Sequence, residues 1–342
     1  MANLKRASQQ LFSRPNDERF ESLDALISHC SRVKDESNIH WHLPTEITHC
    51  PVGLDLGLQI GGNGVHSFND WSFGQTCSIA EVHKDTVNRL GADTASRVLR
   101  ETLPIGGKPL QLLTQGDVVR SIHGAAYTRL FDVDLLEVVR NEADGFHAPP
   151  QGLNGATGFY AGQQDMFAFL IDDSAWVEIG GEQFAPGFFV WNSEVGRRTL
   201  GIETFWFQHI CANHIVWDAI EVVRFCRKHT AKVGDALDDV QAIIARLIRT
   251  RNQRKDAFAK SIEKAMETSL GSTAEEATKA LSGHGLSASI VKSAIDSMVA
   301  NGSKFSVFHA VHAMTRLTGR LTNAGDRIEQ DARIGTLLSL AV

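Results

Sequence analysis

The feature that most constrains this chain is a run of short, strand-like segments between residues 157 and 209, joined by turns too tight for a helical crossover. The segments fall at 157–161, 166–171, 176–179, 184–191 and 199–209. Gly180-Gly181 and Asn192-Ser193-Glu194-Val195-Gly196 separate the later ones. A parallel connection needs a dozen or more residues, whereas two to five suffice for a hairpin. The middle of the chain is therefore expected to build an antiparallel sheet. A further hairpin is predicted upstream, where 110–114 and 118–123 flank Gln115-Gly116-Asp117, and 132–143 reads as a helix.

Helical periodicity surrounds this core. Phe20, Leu23, Leu26, Ile27 and Cys30 predict an amphipathic helix over 17–36, and Ile39, Trp41 and Leu43 alternate with His40 and His42 in a short strand stopped by Pro44. Gly61-Gly62-Asn63-Gly64 reads as a loop. The stretch 68–103 reads as helical, and 77–90 within it resembles a helix-turn-helix core, with Ala80, Val82, Thr86 and Val87 in order but Glu81 where glycine is usual. A plain helical hairpin fits the same residues. From Ile215 onward everything reads as helix, including 235–268, which would span roughly 50 Å if unbroken. The expected class is α+β, an antiparallel sheet core with flanking helices and a C-terminal all-helical region. Three regions are expected: a mainly helical 1–105, a β-rich 106–214 and a helical 215–342.

Composition excludes several classes. The chain is 43% hydrophobic and 22% charged, enough apolar material for a core and too much for disorder. A net charge of −6 argues against a generic nucleic-acid coat protein, so any nucleic-acid contact must use a local patch. Five cysteines without Cys-x-x-Cys spacing fit neither a disulfide framework nor a zinc knuckle. No apolar run reaches membrane-spanning length, and the opening residues lead into no leader-like segment. The expectation is a cytoplasmic protein without a membrane partner.

Candidate chemistry concentrates on the hairpin ending at His209. Asn192, Ser193 and Gly196 are explained by turn chemistry, but Glu194 less well: at a loop tip beside Arg197 and Arg198 it reads either as a surface ion pair worth little or as a specific contact to another subunit or ligand. Aromatic strands tipped with arginines also suit single-stranded nucleic acid, whose bases stack on rings while cations meet phosphates. Alternation puts Phe205 and Phe207 on one face with Glu203, and Trp206 on the other. One face should pack on helices and the other is a candidate platform. In 246–264, Arg246, Arg249, Arg251, Arg254, Lys255, Lys260 and Lys264 face only Asp256 and Glu263 in number, which reads either as a solvated helix face, the commoner case, or as a local field that would draw an anion. Trp191, Glu194, Arg197, Arg198, Trp206, Arg246, Arg249, Arg254 and Lys255 are thus the candidate nucleic-acid contacts. No catalytic residue, cofactor or metal site is assigned. His40-x-His42 lacks an acidic companion at a standard spacing, and Cys211 lacks an activating context.

Four segments carry a resemblance: Phe68-Asn-Asp-Trp-Ser-Phe-Gly-Gln, Ile122-His-Gly-Ala-Ala-Tyr-Thr-Arg-Leu, Gln163-Gln-Asp-Met-Phe-Ala-Phe, and the stretch from Phe188 to Gly196 with Cys211-Ala-Asn213 beyond it. Over most of residues 15–342 the chain resembles the phage- and plasmid-like proteins of domain-of-unknown-function family 932. It departs at His214, where many members have glycine. The resemblance implies a mobile-element role, often DNA maintenance, and carries over no catalytic residue. The resulting expectation is a non-enzymatic protein that binds single-stranded DNA in recombination or replication, as an annealing-type homo-oligomer. The alternatives are a metal-dependent nucleic-acid-processing enzyme using His40, His42 and nearby carboxylates, and a protein-binding module acting on host factors.

Overall fold

The computed structural model describes residues 14–62, 64–104, 106–151, 155–210, 213–218, 223–318 and 336–341. In chain order its N-terminal part comprises β1 (Arg19–Phe20), α1 (Leu23–Asp35), β2 (Ser37–His42), β3 (Ile47–Val52), β4 (Asp55–Ile60), β5 (Val65–Phe68), α2 (Asp70–Ile79), α3 (Lys84–Val87) and α4 (Ala92–Thr102). The centre comprises β6 (Leu110–Gln115), β7 (Val118–Gly124), α5 (Asp132–Glu142), β8 (Phe146–His147), β9 (Phe159–Ala161), β10 (Met166–Asp172), β11 (Val177–Ile179), β12 (Glu182–Asn192) and β13 (Leu200–Ile210). Then follow β14 (Asn213–Asp218), β15 (Arg224–Arg227), α6 (Ala236–Arg249), α7 (Arg251–Glu267), α8 (Ala274–Ser282), α9 (Ala288–Ala300) and α10 (Val307–Thr318). The class is α+β.

Among the described residues, two sheets organise the molecule. The larger has nine strands, all antiparallel, along the path β1-β9-β10-β12-β13-β14 with β8, β11 and β15 attached. The smaller has six strands in the order β2-β6-β7-β5-β4-β3, antiparallel except for the parallel β5–β7 pair. Strand pairing crosses residue 105 three times, since β1 pairs β9, β2 pairs β6 and β5 pairs β7, and β14 and β15 extend the large sheet beyond residue 214.

Several expectations are corrected. The first helix starts at Leu23, because Ser22 accepts the Ala25 N–H and caps it, while Arg19–Phe20 pair with β9. Residues after Ile215 are not all helical, as β14 and β15 both pair β13. The predicted long helix breaks at Thr250, with φ −96° and ψ 9°. In the helix-turn-helix-like stretch Glu81 takes φ +55°, the left-handed backbone for which glycine is favoured. The helix after it, α3, has only four residues, about 6 Å of length, too short to read a groove.

Alternation sorts the large sheet into two buried faces. On one, Phe188, Val190, Leu200 and Ile202 pack against α1, α5 and α6, and further along Phe184 and Trp206 pack against the C-terminal helices. Trp206 stacks on Phe258 with centroids 3.9 Å apart and 7° between planes. The other face is a cluster of Tyr160, Phe167, Phe169, Phe189, Trp191, Phe205 and Phe207. Its tight β12–β13 register needs Gly201 opposite Trp191, since a Cβ there would lie 2.2 Å from the indole. The small sheet buries Leu58, Ile60, Leu112, Val119 and Ile122 under α2, α3 and α4.

Candidate functional site

The β12–β13 turn is an interior junction. Its local geometry is what the sequence dictates: the Ser193 hydroxyl accepts the Arg197 N–H at 2.9 Å, and Gly196 takes φ +76° with no room for a Cβ, which would lie 2.5 Å from His123 Cε1. Each side chain then reaches a different part of the chain. Asn192 Nδ2 donates to Leu130 O at 2.9 Å and to Asp132 Oδ1 at 2.8 Å, and Ser193 Oγ donates to Gln164 O at 2.5 Å. Glu194 is 2% exposed, its Oε2 accepting from Arg120 Nη1 at 2.9 Å and its Oε1 from the Asp132 N–H at 3.1 Å. That last bond caps α5, whose own N-cap residue, Phe131, offers no side-chain acceptor.

The turn's carbonyls are satisfied from a distance as well. Glu194 O accepts from the Tyr127 hydroxyl at 2.9 Å and from Arg129 Nη1, and Val195 O accepts from Trp71 Nε1 at 2.8 Å and from His123 Nε2 at 3.0 Å. Trp71, His123, Tyr127 and Arg129 belong to the small sheet and its connections. The turn therefore joins the two sheets by hydrogen bonds that no stretch of the chain could form alone.

Burial decides the electrostatics. Loss of water and the neighbouring Glu194 push the Asp132 carboxyl well above the ordinary carboxylate range. Desolvation lowers the Arg129 guanidinium to about 10 and raises the Tyr127 phenol. His123 stacks on Tyr127 at 3.7 Å, Tyr127 on His229 at 5.4 Å, and burial lowers both imidazoles to about 4. This stack is neutral at physiological pH.

One side of the junction opens into a cleft of about 1240 Å³. Arg14, Arg32, Arg120, Arg197 and Arg198 line it together with Asp17, Glu18, Glu36, Asp132, Asp165 and Glu194, so it is a mixed-charge cleft rather than a basic groove. Most of these charges are paired. Arg14 bonds Asp165 at 2.6 Å and Glu18 at 2.7 Å, Arg198 takes the other Asp165 oxygen, and Arg32 pairs with Glu36. Arg197 differs. It is exposed, its guanidinium lies over the Trp71 ring at 5.4 Å, and among the described residues it meets no carboxylate.

The sequence-expected contacts are thus divided. Glu194, Arg197 and Arg198 do come together at one cleft. Trp191 and Trp206 do not join them, being 0% and 2% exposed, and Phe205 and Phe207 are buried too. Neither face of the hairpin is an open stacking platform, because aromatics on both faces are what the two cores consume. Arg246 and Arg249 are exposed on α6, whereas Arg254 and Lys255 are half-buried on α7. His40 and His42 stack at 6.1 Å, and His40 Nε2 bonds Thr114 Oγ1 at 3.0 Å. Among the described residues no group of three or more His, Cys, Asp or Glu is arranged to hold a metal ion, and no helix is long and apolar enough to cross a membrane. Cys211 lies outside the described residues.

Residue-by-residue reading missed Trp71, Arg120, His123, Tyr127, Arg129, Asp132 and Asp165. The signal lay in the segments 68–75, 122–130 and 163–169, which supply five of these seven residues and close on the turn they accompany. No family model, no curated protein and no solved structure matches the chain.

Proposed function

We propose that this is a non-enzymatic nucleic-acid-binding protein of a mobile element, acting on single-stranded DNA at the cleft beside the β12–β13 turn. The observation that carries the reading is Arg197. A planar cation held against Trp71 and lining a large polar cleft, without a carboxylate partner among the described residues, can stack on a base or meet a phosphate. The exposed Arg246 and Arg249 offer further phosphate contacts in an otherwise acidic protein. The resemblance to the phage- and plasmid-like family supports the biological setting. Trp191 and Trp206 take no part in this reading.

Fluorescence anisotropy with labelled single-stranded DNA at low salt is the test. Micromolar or tighter binding is expected, weakened by Arg197→Glu and by the pair Arg246→Glu and Arg249→Glu. Each removed phosphate contact should flatten the slope of log affinity against log salt by about 1. Absence of binding, or binding that these changes leave untouched, overturns the reading.

A further inference from the structure

We infer that the chain forms a two-fold dimer through the edge of β2 left unpaired among the described residues, whose strand pairs with the same strand of a second copy. This stands independently of nucleic-acid binding. The six-stranded sheet ends in β2 on one side and β3 on the other, and the two edges differ in kind. Edge strands are normally guarded by charge, proline or a bulge, because their outward N–H and C=O groups template further pairing. At the β3 edge Pro51 supplies that guard, since it has no N–H to give. At the β2 edge residues 37–43 read Ser-Asn-Ile-His-Trp-His-Leu, with no Lys, Arg, Asp, Glu or Pro. That edge is unguarded.

The occupant follows from symmetry. Antiparallel pairing of β2 with its own copy, centred on His40, sets Ile39 opposite Trp41 of the second copy and Trp41 opposite its Ile39. Both pairs lie on one face, and aromatic opposite β-branched is among the favourable cross-strand combinations. Ile39, Trp41 and Leu43 are 43%, 49% and 37% exposed in the single chain, so these pairs would cover side chains left in water. A strand without charges meets no like-charge repulsion when paired with itself. One open and one guarded edge also explains why association stops at two copies, where two open edges would continue into a filament. A six-residue pairing buries less than the roughly 1,200 Å² of a standard interface, so the affinity is expected to be micromolar.

Sedimentation equilibrium of the full chain across the micromolar range tests this. The expected result is twice the chain mass, falling to one on dilution. Trp41→Lys should weaken association at least tenfold with an unchanged melting temperature, and Val52→Lys at the opposite edge should leave it unchanged. His40→Cys should give a cross-linked dimer under mild oxidation that the unaltered protein, which retains Cys50 and Cys226, does not. A chain that stays monomeric at high micromolar concentration overturns the inference. A dimer indifferent to Trp41→Lys and not cross-linked through position 40 overturns it equally.

Discussion

Replacing Glu194 should destabilise the fold at the junction between the two sheets, and its cost follows from the geometry. Glu194→Ala leaves Arg120, whose side chain is 10% exposed, without its carboxylate, and leaves the first N–H of α5 without its cap. Breaking a buried ion pair from one side costs about 3–5 kcal/mol, and losing a helix cap costs about 1 kcal/mol. The two losses share one side chain and are not additive, so about 4 kcal/mol is expected, a large part of the roughly 5–15 kcal/mol that holds an ordinary protein folded. Urea unfolding, followed by the shift in midpoint at unchanged slope, measures it. The discriminating variant is the double change Arg120→Met with Glu194→Met, which removes the stranded charge and should be more stable than Glu194→Ala by about 1–3 kcal/mol. A single change costing under about 1 kcal/mol, or a double variant no better than Glu194→Ala, would refute the assignment of Glu194 as an interior clamp.

Gly196→Ala should destabilise by at least about 1–2 kcal/mol, since it combines a left-handed backbone with a Cβ in the place of His123, and a melting curve indistinguishable from that of the unaltered protein would contradict this. Acidification should also destabilise the fold. His49, His123 and His229 are each lowered by burial to about 4, so below pH 6.5 the unfolded chain takes up protons that the folded chain refuses. Stability is then complete above about pH 6.5 and falls as pH drops towards 4, while Asp132, raised by burial, works in the opposite sense. His49→Phe, which keeps the ring stacked on Phe68, should shrink the fall in melting temperature between pH 7 and 4.5, and an equal fall in both proteins would exclude His49 as a contributor.

The hairpins around Gly116, Gly180-Gly181 and residues 192–196 were legible because local chemistry sets them: positive-φ glycines and two-residue alternation act over a few residues. The same holds for α5 and for the α+β class. What stayed hidden was register and partnership. The strands β3, β4, β14 and β15 carry too little periodicity of their own, and Thr250 breaks a helix whose sequence pattern runs on. Aromatic alternation correctly sorted Phe205 from Trp206, yet could not tell that both faces would be covered.

Glu194 marks the boundary most clearly. From the sequence alone it is a carboxylate in a turn beside two arginines, and turn chemistry accounts for Asn192, Ser193 and Gly196 around it. Only the tertiary structure decides that its partner is Arg120 rather than Arg197 or Arg198, that it caps α5, and that Arg197 is left facing the cleft. The physical reason is separation along the chain. Glu194 meets groups more than sixty residues away, and such pairings are chosen by how two sheets pack together, which no local window of sequence contains.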